Sequence, residues 1–322
     1  MERRSLGQTS LQVSRITLGT MTFGAQVDAA VAASIVDLCL DEGVNFIDTA
    51  NVYQAGASEE LLGRVLGTRR DRVVLATKAG IKLADRPEES GLSRNAIVKA
   101  LDSSLQRLRT DYVDVFYLHQ PDDAVPIEES LDAADSLVRA GKVRQVGISN
   151  YAGWQVCRML WLAEKNSWQP VQVAQPMYNL LARGIEQEFL PMARQFGVSV
   201  VAYNPLAGGL LTGKHRSDVV PPGTRFERMP AYRDRYWNAT NFEAVGRLSE
   251  IARSAGRSLI GLSLGWLLAQ AQVTSVIVGV SHLDQLRQNL AAAHDKPLDS
   301  DTLVACDNVW SDLRGVAPRY NR

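Results

Sequence analysis

Short apolar runs alternate with longer amphipathic segments along this chain. The runs cover residues 16–20, 45–49, 73–78, 113–119, 145–149, 171–175, 199–204 and 275–279. Most are nearly continuous in Val, Ile, Leu, Ala and aromatic residues, as in parallel strands that are buried on both faces of a sheet. The pattern therefore predicts eight buried parallel strands.

The segments between the runs have helical periodicity. One apolar stripe ends at Gly43, a second follows Ser93 as the expected N-cap, and a third ends at Gly141. Strand and helix that alternate in this way predict an α/β protein, a single (β/α)8 TIM barrel domain over residues 1–322. A doubly wound sheet is the alternative, but the GxGxxG spacing that it normally carries is missing at residues 19–24.

Two segments stand outside this alternation. Residues 3–5 and 11–14 predict an N-terminal β-hairpin that is placed to plug one end of the barrel. Residues 215–241 form a long loop after strand 7, with three prolines, five arginines and several aromatic residues. A loop of this length is typical of a lid that covers a binding site, and the alternative is a disordered surface loop.

The composition excludes several classes of protein. Of 322 residues 46% are apolar, and 35 Lys and Arg balance 35 Asp and Glu, which argues against a nucleic-acid or anionic-membrane partner. The three cysteines are widely spaced without a CxxC motif, so neither a disulfide framework nor a metal site is expected. Neither a signal peptide nor a membrane span is recognisable, and we expect a cytoplasmic protein.

Polar residues stand at the ends of three successive predicted strands. Asp48 ends the second strand with Tyr53 just beyond it, Lys78 ends the third, and His119 ends the fourth. Taken singly, each of these residues is typical of a helix cap, a solvated charge or a packing residue. The carboxyl ends of barrel strands meet at one mouth, however, so we expect the four side chains to lie together there. A lysine beside a tyrosine favours the phenolate and so lowers the pKa of the tyrosine. A tyrosine tuned in this way is suited to proton transfer to an oxygen during carbonyl reduction.

Longer motifs surround these four residues. They occupy residues 43–63, 76–78, 118–122, 141–150 and 203–214, in that order. In sequence and spacing they resemble the aldo-keto reductase family. The resemblance covers roughly residues 2–295, and the tail after Asp295 carries no motif of the family.

The resemblance implies a fold, an activity and a cofactor. It implies a barrel that binds NADPH, with NADH possible, and that reversibly reduces an aldehyde or ketone to an alcohol. Asp48, Tyr53, Lys78 and His119 would be the catalytic residues, with Tyr53 as general acid and base. The partner would be a small-molecule carbonyl substrate, and the choice between monomer and homo-oligomer stays open.

The resemblance also implies how the cofactor lies. The nicotinamide would stack on Tyr203, the backbone amides of the 206–210 loop would meet the pyrophosphate, and the adenosine would lie over 279–289. The residues implied to bind the cofactor are Ser149, Asn150, Gln175, Tyr203, Asn204, Pro205, Leu206, Gly208, Leu210, Lys214, Arg225, Gly279, Ser281, Gln285 and Asn289.

The chain departs from the family at the 2′-phosphate. Many members carry a basic residue at or near the positions of Gly279 and Gln285, and this chain has none there. The substitutes are Ser281, His282, Arg225 and Arg287, although a solvated helix face explains Arg287 equally well.

Other functions remain open from the residues alone. A barrel of this family can serve as a regulatory subunit that binds NADPH with little turnover. A strand-end lysine can form a Schiff base, as in class I aldolases. A metal-dependent hydrolase would need clustered histidines and carboxylates, and the whole chain has only four histidines. The residues that would line an apolar substrate pocket, or only pack its loops, are Met21, Phe23, Tyr53, Tyr151 and those of the 232–237 cluster.

Overall fold

Eight parallel strands close into a barrel. The computed structural model describes residues 1–316, so the end of the predicted domain at 317–322 lies outside the described residues. The barrel strands are β3 (Ile16–Gly19), β4 (Phe46–Asp48), β5 (Val74–Ala79), β6 (Val113–Leu118), β7 (Val143–Ser149), β8 (Val171–Gln175), β9 (Ser199–Ala202) and β10 (Val273–Gly279). Each strand pairs with its neighbour in this order, and β10 closes the barrel on β3.

Helices cover the barrel and complete the predicted (β/α)8 architecture. Their buried faces follow the predicted apolar stripes, and the Ser93 side chain caps α3 as expected. The helices are α1 (Ala29–Asp41), α2 (Ala57–Leu66), α3 (Arg94–Leu108), α4 (Ile127–Arg139), α5 (Gly153–Asn166), α6 (Phe189–Phe196), α7 (Arg225–Arg228), α8 (Pro230–Tyr236), α9 (Ala239–Ser254), α10 (Leu259–Ala269), α11 (Leu283–His294) and α12 (Ser300–Arg314). The tail without a motif thus forms α12, which packs against α9.

The N-terminal hairpin lies under the barrel. Strands β1 (Arg3–Ser5) and β2 (Gln12–Ser14) pair antiparallel, as predicted. Leu6 and Val13 are fully buried and pack in the barrel interior with residues of β4, β5 and β6. Gly7 has a φ of +61°, and a side chain there would lie 2.5 Å from the Gln172 carbonyl oxygen. The turn therefore requires glycine.

The long segment after β9 is more ordered than its sequence indicates. Residues 215–241 were expected to lack helical structure, but they contain α7, α8 and the start of α9. This expectation is wrong because helices of four and seven residues are too short to show a periodic pattern. Trp237 holds the segment together, with ring centroids 4.9 Å from Phe226 and 5.6 Å from His215.

Candidate active site

Lys78 lies at the centre of the predicted catalytic group. Its side chain is fully buried, and its Nζ donates to Asp48 Oδ2 at 2.5 Å and to the Thr49 carbonyl oxygen at 2.7 Å. A third contact of 3.3 Å joins Nζ to Tyr53 Oη. The strand ends of β4 and β5 are neighbours in the barrel, so they bring these groups together. The predicted group of Asp48, Lys78 and Tyr53 is one hydrogen-bonded chain.

Gln175 completes the environment of Asp48. Its Nε2 donates to Asp48 Oδ1 at 2.9 Å, so both carboxylate oxygens accept hydrogen bonds, as an ionised carboxylate does. Burial raises the pKa of Asp48, and the contact with Lys78 opposes that effect. Burial also acts against the charge of Lys78, but the neighbouring Asp48 and Tyr53 outweigh it and raise the pKa of Lys78. Lys78 is therefore a cation at neutral pH.

The pKa of Tyr53 differs from the expectation drawn from its sequence neighbours. Lys78 lowers this pKa as expected, but burial raises it by more, and the net shift is upward. The expectation of a lowered pKa is wrong because a phenolate loses the solvation of water in this site. Tyr53 is thus a protonated phenol at neutral pH and can donate a proton.

His119 stands beside Tyr53 at the same mouth. The two rings meet edge to face, with centroids 6.2 Å apart. Burial, with a smaller effect of Lys78, lowers the pKa of His119 to about 3, so the imidazole is neutral. A neutral imidazole keeps one N–H to donate to a substrate oxygen.

The Schiff-base alternative does not fit Lys78. A Schiff-base lysine must be a free amine that can attack a carbonyl carbon. Lys78 is protonated, has three hydrogen-bond partners and has no exposed side-chain surface. Its geometry is that of a fixed cation.

A cavity of about 1240 Å³ opens above these residues. Its lining comes from the carboxyl ends of the eight barrel strands or from the segments that follow them, from Gly19 at the end of β3 to Asn289 on α11. Sites for drug-sized ligands occupy roughly 300–1,000 Å³, so the cavity is large enough for a dinucleotide. Asp48, Tyr53 and His119 line it, and Lys78 lies beneath them.

Four polar side chains predicted to hold the nicotinamide are linked to one another at the cavity wall. Tyr203 Oη donates to Asn150 Oδ1 at 2.8 Å, and Asn150 Nδ2 donates to the His119 carbonyl oxygen at 2.9 Å. Ser149 Oγ donates to the Gln175 carbonyl oxygen at 2.9 Å. The contact with Asp48 uses one of the two amide hydrogens of Gln175. The group is therefore ordered around the predicted catalytic residues.

The loop after β9 is held together by hydrogen bonds of its own. The Gly208 amide donates to Asn204 Oδ1 at 2.7 Å, and the Gly209 amide donates to the Leu206 carbonyl oxygen at 2.8 Å. Two amides of this loop are therefore used within it, because the positive φ of Asn204, Gly208 and Gly209 curls the loop onto itself, and the contact of the 206–210 amides with a pyrophosphate stays a prediction. Asn204 thus fixes the loop, and its Nδ2 also donates to Tyr236 Oη.

Cationic side chains line the same part of the cavity. Lys214, Arg225 and Arg228 all lie on its wall, and the Arg225 guanidinium stands 5.2 Å from the centre of the Tyr232 ring. Arg228 also donates to the side-chain oxygen of Gln26, which lies between β3 and α1. These groups offer the positive charge that phosphates require.

Most of the predicted cofactor residues line the cavity, and two predicted residues do not. Leu210 is buried in the core, and Arg287 is exposed on α11 and is not among the residues of the cavity wall. The remaining predicted residues on the wall are Pro205, Leu206, Gly208, Lys214, Arg225, Gly279, Ser281, Gln285 and Asn289. Gln285 Oε1 accepts from the Ser281 amide at 2.9 Å and so orders the loop after β10.

The sequence did not reveal every residue of the wall. Gln26, Arg228, His215 and Gln288 line the cavity but fall outside the motifs. Gln26 lies in the loop after β3 and Gln288 lies on α11, and no sequence signal marks either residue. His215 and Arg228 belong to the 215–241 segment that is predicted to cover the site.

The predicted substrate pocket is correct only in part. Met21, Tyr53 and Tyr232 line the cavity. Phe23 is fully buried in the core, and Tyr151 is also buried there with its hydroxyl donating to the Gln120 carbonyl oxygen. These two aromatic residues pack the loops instead of facing a substrate.

Possible metal ligands and membrane-spanning helices bear on the remaining classes of function. Within residues 1–316 there is no group of three or more His, Cys, Asp or Glu that could hold a metal ion. The helices of this same part of the chain include none that is both long enough and apolar enough to cross a membrane.

Comparisons with known proteins identify the family. A family model described as the aldo/keto reductase family matches residues 15–311. A Rattus norvegicus protein named aflatoxin B1 aldehyde reductase member 2 is 38% identical and covers 95% of this chain and 87% of its own length. A Homo sapiens protein named aldo-keto reductase family 7 member A3 is 37% identical, with 97% and 100% covered. An Arabidopsis thaliana protein named probable voltage-gated potassium channel subunit beta is 36% identical, with 92% and 93% covered.

The chain therefore belongs to the aldo/keto reductase family. It is an NAD(P)H-dependent oxidoreductase that acts on carbonyl groups.

Proposed function

We propose that this protein is an NADPH-dependent reductase of small aldehydes or ketones, with Tyr53 as the proton donor. The observation that carries the proposal is the hydrogen-bonded chain from the buried Asp48 and Lys78 to Tyr53, at the mouth of a cavity large enough for a dinucleotide. A bound nicotinamide supplies the hydride that reaches the carbonyl carbon.

The residues of this chain supply the proton and the charge. Tyr53 donates its phenolic proton to the carbonyl oxygen as negative charge develops there. Lys78, held by Asp48, stabilises the phenolate that remains. Neutral His119 donates a hydrogen bond to the same oxygen, and Tyr53 takes the proton back in the reverse reaction.

The cofactor site follows from the lining residues. Ser149, Asn150 and Gln175 would hold the carboxamide, and the nicotinamide would stack on the Tyr203 ring. Lys214 would neutralise charge at the pyrophosphate, and Arg225 would neutralise charge at the 2′-phosphate. Ser281, Gln285 and Asn289 contact the adenosine end.

The reaction is tested with a panel of aldehydes and ketones. We expect NADPH absorbance to fall with at least one class of carbonyl, and to fall more slowly when NADH replaces NADPH. A protein that binds NADPH but oxidises it with no member of the panel would contradict the proposed reaction.

The preference for NADPH is tested by measuring the Kd of both cofactors in two arginine-to-alanine variants. Hydrogen bonds to charged groups contribute about 1.5–3 kcal/mol, so Arg225→Ala is expected to raise the Kd of NADPH roughly tenfold or more and to leave the Kd of NADH nearly unchanged. Arg287→Ala removes the same charge from the exposed face of α11 and is the control. Equal effects of Arg225→Ala on both cofactors would contradict a role at the 2′-phosphate.

A regulatory subunit is the second candidate, because a relative named as a channel subunit is 36% identical over nearly the same length. It predicts tight binding of NADPH with almost no turnover on any carbonyl. The complete set of Asp48, Tyr53, Lys78 and His119 favours the reductase.

A further inference from the structure

The turn that carries Tyr53 has an unfavourable backbone. Gln54 and Ala55 have φ values of +51° and +53°, and Gly56 follows at +97°. L-residues with side chains rarely adopt this left-handed region. Such a turn persists only where the surrounding structure holds it.

A fully buried carboxylate lies at the start of the next helix. Glu59 on α2 accepts hydrogen bonds from Thr77 Oγ1 through Oε1 and from Arg107 Nε, at 2.7 Å, through Oε2. Thr77 immediately precedes Lys78 on β5. Glu59 thus connects the helix that follows the Tyr53 turn to the strand that carries Lys78.

Arg107 extends this contact to the turn itself. A side chain at Gly56 would lie 2.9 Å from Arg107 Cδ, so the arginine stem packs directly on the turn. Its Nη2 lies 3.6 Å from Oε2 of the buried Glu89. Arg86 completes the network, with Nη1 3.0 Å from the same oxygen and Nη2 donating to the Asn51 carbonyl oxygen at 3.0 Å.

Two carboxylates and two guanidiniums therefore surround the segment from Asn51 to Gly56. Buried ion pairs contribute little net stability, because the loss of hydration offsets their attraction. Stability alone gives little reason for four charges at this place. Their contacts instead fix both ends of the Tyr53 turn against the strand of Lys78.

We propose that Glu59 and Arg107, supported by Arg86 and Glu89, are positioning residues that hold Tyr53 Oη against Lys78 Nζ. The inference rests on the proposed function, in which Tyr53 donates the proton. A displacement of about 1 Å at a reacting group can cost on the order of 100-fold in rate, so loss of the network acts on the proton-transfer step.

The test compares two buried carboxylates. Asp114 on β6 is 1% exposed and accepts from Arg70, Arg144 and the Leu75 amide, but it lies at the opposite end of the barrel. We expect Glu59→Gln and Asp114→Asn both to lower the thermal midpoint. Only Glu59→Gln should lower kcat, by roughly 10- to 100-fold, with the KM of NADPH unchanged and the alkaline limb of the pH profile displaced.

A second variant keeps the test valid if Glu59→Gln does not fold. Replacement of a buried ion pair by apolar side chains often preserves stability, so Glu59→Leu combined with Arg107→Met is expected to fold and to show the same loss of kcat. Wild-type kcat and pH dependence in either folded variant, or an equal loss of kcat in Asp114→Asn, would overturn the proposal.

A spectroscopic measurement separates this proposal from the proposed function. The ¹³C resonance of the Tyr53 ring, assigned through Tyr53→Phe, should move in Glu59→Gln and stay in place in Asp114→Asn. This measurement needs no turnover, so a shifted resonance in a protein that reduces no carbonyl would refute only the proposed reaction. An unmoved resonance in Glu59→Gln would overturn the positioning role.

Discussion

Burial shifts the pKa of both groups that we propose to face the reacting oxygen. It raises the pKa of Tyr53 and lowers the pKa of His119 to about 3. Both side chains are therefore hydrogen-bond donors at neutral pH. An exposed Tyr53 would also be protonated at neutral pH, whereas an exposed His119 would be half-charged near pH 6.5.

The low pKa of His119 predicts a loss of stability in acid. Between its ordinary value of 6.5 and its folded value of about 3, the unfolded chain binds more protons at this residue than the folded chain. Stability is thus lost as the pH falls through this window, by up to roughly 5 kcal/mol. We expect the thermal midpoint of His119→Gln to fall less than that of the wild type between about pH 7 and about pH 4. Parallel declines in the two proteins would contradict this prediction.

The sequence predicts the residue types of the site better than their protonation. Asp48, Lys78 and His119 were identifiable because each stands at a strand end. The net pKa of Tyr53 was not predictable, because it depends on how completely other loops exclude water. The contact of Gln175 with Asp48 was equally hidden, since 127 positions separate the two residues.

At the scale of elements, the clearest prediction concerns residues 215–241 after β9, which we propose form a lid. Arg228 on α7 reaches Gln26, and bound NADPH would lie beneath this contact. We expect NADPH to slow tryptic cleavage in the lid, since a closed lid orders its backbone. The bonds to follow are those after Arg225, Arg228, Arg233 and Arg235.

The variant Gln26→Ala is the control for this lid experiment. It removes the partner of Arg228 and should speed cleavage in the absence of cofactor. Cleavage rates that are the same with and without NADPH would show that the lid is independent of the site.

Element boundaries show where sequence patterns fail. The seventh barrel strand was predicted at 199–204, but β9 ends at Ala202, because Asn204 has a φ of +62° that an extended strand cannot accommodate. The apolar pattern continues past this point because the same residues pack the loop. Hydrophobicity thus predicts burial well and backbone conformation less well.

At the scale of the whole molecule, we expect residues at the hairpin end of the barrel to affect stability and residues at the cavity end to affect the reaction. The hairpin residue Leu6 is fully buried at the end opposite to the cavity mouth. Truncation of a buried leucine costs about 2–5 kcal/mol, so Leu6→Ala should lower the free energy of unfolding in urea by that amount. The kcat of the folded variant should equal that of the wild type.

Leu11 on the same hairpin is only partly buried and provides the comparison. We expect Leu11→Ala to cost less stability than Leu6→Ala. A lower kcat in folded Leu6→Ala would contradict the separation of the two ends.

The central claim, that Tyr53 supplies the proton for NADPH-dependent carbonyl reduction, is tested most directly by single-turnover oxidation of NADPH in Tyr53→Phe. The substitution removes only the hydroxyl, whose contact with Lys78 leaves the ion pair with Asp48 in place. We predict that the rate falls by about 10²–10⁴, while the Kd of NADPH and the thermal midpoint stay unchanged. A wild-type rate in Tyr53→Phe would contradict the assignment of Tyr53 as the proton donor.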